Sequence, residues 1–116
     1  MSDSRISGLY KLSVTERIAR LRELGWLSAE DAACLRGGYH VLLAQAADHM
    51  IENAVGVFGM PFGVAPNFVV NGRECLVPLV VEEPSIVAGL SSAAAMARSQ
   101  GGFEVENDGS LLIGQV

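Results

Sequence analysis

Asn71-Gly72 separates two apolar runs and limits the fold more than any other feature of the sequence. Both central residues of a type I′ turn need positive φ, which Asn and Gly tolerate, so the pair predicts a β-hairpin. Its strands are Val64–Val70 and Glu74–Val81, rich in β-branched residues. Pro66 and Pro78 lie inside those strands and cannot donate to a ladder, which predicts edges or bulges at both points.

Helical signals flank the hairpin. Ser13-Val14-Thr15-Glu16 fits a capping box, with Ile18, Leu21 and Leu24 on one face behind it. Ser28 offers a second N-cap before Ala32 and Leu35, and Gly37-Gly38 stops that helix. A longer helix is predicted from Tyr39 to about Asn53, with Leu43, Ala47, Met50 and Ile51 inward. After the hairpin, Pro84 suits position N1 of an Ala-rich helix from Ser85 to about Ser99, closed by Gly101-Gly102. Phe103–Val105 and Leu111–Val116 read as a second hairpin-like pair around Asn107-Asp108-Gly109. The fold class is therefore α+β: short N-terminal helices, then a hairpin and an Ala-rich helix.

Composition excludes several roles. The 116 residues allow one small domain, and half of them are hydrophobic, so the chain should fold. Net charge is -5 with Lys11 the only lysine, which argues against nucleic acid as a partner. The N-terminus lacks the apolar stretch of a signal peptide, and Leu76–Val81 is too short to span a bilayer. Cys34 and Cys75 have no CxxC spacing and read as free thiols of a reducing cytoplasm. His40 and His49 are nine residues apart on different helix faces, so no metal site is expected. The apolar run Leu111–Val116 has no stop signal behind it, which suggests part of a longer protein.

Two acidic features could carry chemistry. Glu82 and Glu83 follow the apolar run Leu76–Val81 and precede a helix start. Facing a low-dielectric pocket, one of them would hold its proton more tightly and could act as a general acid. The helix dipole favours the anion instead, and capping is the commoner role of acidic residues at such a place. Glu52-Asn53 ends the predicted long helix; Asn53 there suits a left-handed C-cap, or the pair serves a ligand or subunit contact.

Taken together, several blocks resemble 3-hydroxy-3-methylglutaryl-coenzyme A reductase. They are Glu52-Asn53-Ala54-Val55-Gly56, Met60-Pro61-Phe62-Gly63-Val64-Ala65, Asn71-Gly72, and Val77 through Glu82-Glu83-Pro84-Ser85 to Ala88. The Glu-Glu-Pro-Ser form is similar to the bacterial class II enzymes. The resemblance runs from about Lys11 to Val116, and it is the order and spacing of the blocks that make it specific. Ala54 replaces the more usual Val, a mild departure.

The resemblance implies reduction of the coenzyme A thioester to mevalonate and free coenzyme A with two reduced nicotinamide cofactors, NAD or NADP, or the reverse. It makes Glu83 the catalytic proton donor and Ser85 a contact to the hydroxymethylglutaryl group. Glu52, Asn53 and Gly56 would lie near the coenzyme A region and the homodimer contact, and Lys11 or Arg5 would meet coenzyme A phosphates. Residues 1–105 would belong to the large substrate-binding domain and 106–116 would start the small nicotinamide-binding domain. The lysine, aspartate and histidine that complete the site would lie beyond these residues, so the chain alone should be inactive. The other reading is a non-catalytic α+β module that binds coenzyme A or serves assembly.

Overall fold

In the computed structural model of the chain, residues 3–38, 42–106 and 109 are described. The elements in order are α1 (Val14–Glu23), α2 (Ala29–Gly37), α3 (Ala44–Asp48), β1 (Phe62–Val70), β2 (Arg73–Val80) and α4 (Ile86–Arg98), with a 3-10 turn at Leu9–Lys11. This is the expected α+β arrangement.

Local chemistry sets the helix ends. The Ser13 hydroxyl accepts from the Glu16 N–H at 3.3 Å, and the Glu16 carboxylate accepts from the Ser13 N–H at 2.7 Å. Ser28 and Asp31 form a second such box. α1 closes on Gly25 at φ 75, where Trp26 N–H reaches Leu21 O and Gly25 N–H reaches Arg22 O. That pair of bonds is a Schellman motif, and Trp26 packs on the same apolar cluster as Leu21. Gly38, left-handed, closes α2.

The hairpin forms where expected, with Asn71 at φ 48 and Gly72 at φ 73. Ala65 pairs with Val77 and Phe68 with Cys75, so β1 carries one extra residue between the two pairs. That is a bulge at Pro66-Asn67, beside a proline with no N–H to give. Asn67 sits in the left-handed region, donates its N–H to Ser4 O and gives its amide to Ser91 O on α4. The bulge thus anchors both the N-terminal segment and α4 to β1. Ile6, Leu9 and Leu21 form the core cluster, with Val64 and Leu76 of the hairpin packed against it.

Three elements meet at a polar knot. Arg98, at the end of α4, ion-pairs with Glu74 at the start of β2, and the buried Ser4 hydroxyl lies against both. The Arg98 guanidinium holds the Glu74 carboxyl well below its usual range, lowered to about 2. Gly101 and Gly102 then turn the chain back on β1. A Cβ on Gly102 would stand 2.4 Å from Val69 O, so only glycine allows this approach. Phe103 stacks on Phe68 with centroids 5.4 Å apart and bridges Val70 in parallel. The Asn71 amide holds Val105 N–H and O at 2.8 and 2.9 Å.

Four expectations need correction. The helix predicted over Tyr39–Asn53 shrinks to Ala44–Asp48, within the described part of that range. Of its predicted inward residues only Ala47 is buried; Leu43, Met50 and Ile51 are exposed. Helices are held by burial of an apolar face, and nothing in the described residues covers this one. Asn53 does adopt φ 58, but His49 ends the helix, so Asn53 belongs to a turn further on. α4 begins at Ile86 with Ser85 as a left-handed N-cap, which puts Pro84 outside the helix and not at N1. Neither Glu82 nor Glu83 enters its first turn, so the capping role fails. The expected strand Leu111–Val116 of a second hairpin lies outside the described residues, as does His40.

Candidate active site

Glu82-Glu83-Pro84-Ser85 forms the link between β2 and α4. β2 ends at Val80, which pairs with Phe62. Val81 then turns to φ 56 while its N–H still reaches Pro61 O at 3.0 Å. A β-branched residue in the left-handed region is a genuine outlier. Ser85, at the other end of the link, sits at φ 76. Between them Pro84 has a fixed φ, and Ile86 N–H donates to Glu83 O at 3.2 Å, which closes a turn over the link. Non-glycine strain of this kind gathers at functional sites.

The two glutamates and Ser85 are all exposed. Among the described residues, the Glu83 carboxylate has no ion-pair partner and the Ser85 hydroxyl no hydrogen bond. The apolar surroundings expected around one glutamate are therefore not built by these residues. An apolar groove of about 780 Å³ opens between Ile6–Tyr10, α1, β1 and α4. Val87 and Ala88 line it, just past Ser85, but Glu83 and Ser85 do not.

Glu52, Asn53 and Gly56 lie on an exposed arm that leads into β1. Pro61, at its end, is bonded to Val81, so the arm arrives beside the Glu82–Ser85 link. No hydrogen bond among the described residues joins Glu52 or Asn53 to that link. The arm is strongly apolar: Val55 is fully exposed, Phe58 87% exposed, and Met50, Ile51 and Met60 also face outward. Contiguous exposed apolar side chains of this kind are a common mark of surfaces that meet another chain or a ligand.

Of the two basic candidates, Arg5 is held by Asp3, whose carboxyl it pulls well below the usual range. The Lys11 ammonium lies 5.7 Å from the centre of the Tyr10 ring and forms no ion pair among the described residues. No group of three His, Cys, Asp or Glu side chains there converges on a metal-sized site. No helix there is long and apolar enough to cross a membrane.

The profile described as Hydroxymethylglutaryl-coenzyme A reductase matches residues 13–116. The chain belongs to the hydroxymethylglutaryl-coenzyme A reductase family. It is 49% identical over 114 residues to the 3-hydroxy-3-methylglutaryl-coenzyme A reductase of Archaeoglobus fulgidus, covering 97% of this chain and 26% of that protein. Its fold matches the class II reductase of Streptococcus pneumoniae bound to NADPH in open conformations, with TM-score 0.76, 39% identity, and coverage of 84% of this chain and 26% of that one. A second structure of the reductase from that organism matches with TM-score 0.76 and 39% identity, over 84% of this chain and 23% of that one. The chain thus spans about a quarter of the length of the relatives it matches.

Sequence reasoning reached the link and the arm but missed the polar knot and the two left-handed residues of the link. Ser4, Glu74 and Arg98 are far apart in sequence and carry no local signature. Val81 and Ser85 are residue types that normally avoid positive φ, so composition pointed away from them.

Proposed function

We propose that this chain supplies the acid-bearing part of a hydroxymethylglutaryl-coenzyme A reductase, with Glu83 as the proton donor. The observation that carries it is the Val81–Ser85 link, which holds an exposed carboxylate between two left-handed residues beside the end of the arm. Reduction of a thioester or aldehyde carbonyl builds negative charge on its oxygen, and a positioned acid lowers that barrier. Ser85 contacts the hydroxymethylglutaryl group, and its hydroxyl, unbonded among the described residues, fits that role. Lys11, rather than the Asp3-bound Arg5, meets coenzyme A phosphates.

Glu83 needs a water-poor setting that the described residues do not build. An active site shared between two subunits of a homodimer supplies one, with the Glu52–Gly56 arm as part of the contact. Residues 1–105 belong to the substrate-binding domain, and 106–116 lead into a small domain that binds NAD or NADP. Free Cys34 and Cys75 fit a cytoplasmic enzyme. The 49% identity to a reductase favours catalysis over a coenzyme A-binding or assembly module. The test is Glu83→Gln in the complete protein, assayed for hydroxymethylglutaryl-coenzyme A-dependent oxidation of reduced nicotinamide. Gln keeps the shape and removes the proton, so turnover should fall at least 100-fold, within the range general acids contribute.

A further inference from the structure

We infer that Val81 is a positioning residue, whose left-handed backbone aims the Glu83 carboxylate. The inference rests on Glu83 being the acid.

The ladder explains why a turn is needed at this point. Val80 pairs with Phe62, and Val81 N–H still bonds to Pro61 O. An extended residue at 81 would carry Glu82 and Glu83 straight on past Pro61. The φ of 56 instead ends β2 and sends the chain across to α4. Valine is among the residue types least tolerant of this conformation. Packing among the described residues does not account for its presence, because Val81 is 54% exposed there.

The rest of the link is nearly as constrained. Glu83 precedes a proline, which disfavours helical backbone there. Pro84 has a fixed φ. Ser85 is left-handed, and its carbonyl accepts from Gly89 N–H at 2.7 Å. Val81 therefore sets the direction in which a stiff segment leaves the sheet. A stiff, correctly aimed acid is what catalysis requires, since a displacement of about 1 Å can cost about 100-fold in rate.

The test uses the complete protein and separates backbone from side chain. Val81→Pro forbids positive φ and removes the N–H given to Pro61. Its kcat should fall at least 100-fold, with KM for the thioester within about threefold of wild type. Val81→Asn tolerates the left-handed region without the valine side chain and should restore kcat to within about fivefold. Val81→Gly keeps the N–H but loosens the backbone and should lose about tenfold in kcat, which gives a reading even if the proline variant does not fold. In a Glu83→Gln background, Val81→Gly should cost less than twofold more, because its effect passes through Glu83.

Full turnover by both the proline and glycine variants would overturn the inference, as would an asparagine variant as damaged as the glycine one. Additive losses in the Glu83→Gln background would overturn it too. Normal turnover of Glu83→Gln by itself overturns the acid assignment, whereas a dead Glu83→Gln beside an unaffected Val81→Gly overturns only the role of Val81.

Discussion

Replacing Glu74 by Gln removes one charge from the knot that joins the N-terminal segment, β2 and α4. Glu74 Oε2 accepts from Ser4 N–H at 2.9 Å and from Arg98 Nη1 at 2.8 Å, and Oε1 faces Arg98 Nη2. Both side chains are largely shielded, 22% and 19% exposed. The folded carboxyl is lowered from 4.5 to about 2, chiefly by the hydrogen bond from Arg98. At about 1.4 kcal/mol per pH unit, that is worth about 3 kcal/mol of stability at neutral pH. Loss of one member of a shielded pair gives a similar figure, about 3–5 kcal/mol. The sign follows from a depressed pKa: the stabilisation is complete above about pH 4.5 and is lost as pH falls toward 2. Urea unfolding at pH 7 should therefore show Glu74→Gln about 3 kcal/mol less stable, with the gap closing between pH 4.5 and 2. Equal stability at pH 7, or a gap that persists at pH 2, would refute the reasoning.

Two further outcomes follow from single contacts. Gly102→Ala places a methyl 2.4 Å from Val69 O at φ 95, so the return of the chain onto β1 must give way; a thermal melt should report a loss of about 3 kcal/mol. Ser85→Ala removes a hydroxyl with no bond among the described residues, so stability should hold while KM for the thioester rises about fivefold, the equivalent of about 1 kcal/mol.

Local signals were the legible ones. Asn71-Gly72, Ser13 with Glu16, and Ser28 each act over two to four residues, and each sits where the sequence put it. The long helix over Tyr39–Asn53 failed because periodicity records an apolar face without saying what covers it. In this chain Leu43, Met50 and Ile51 stay bare. The start of α4 moved because Pro84 marks a stiff point without deciding on which side the helix begins. The Ser4–Glu74–Arg98 knot was not legible, since a glutamate at a strand start reads as solvated until a partner 24 residues away is folded against it. Glu83 was visible as a carboxylate beside a helix, yet capping was the favoured role until the surrounding blocks were added. The structure removes capping, because neither glutamate lies in the first turn of α4.

The most direct measurement is single-turnover reduction of hydroxymethylglutaryl-coenzyme A by the complete protein, wild type against Glu83→Gln, followed as oxidation of reduced nicotinamide. With Glu83 as proton donor, the variant binds the thioester with wild-type affinity and its reduction step is at least 100-fold slower. A variant that reduces the thioester at the wild-type rate would contradict the assignment of the acid to this chain.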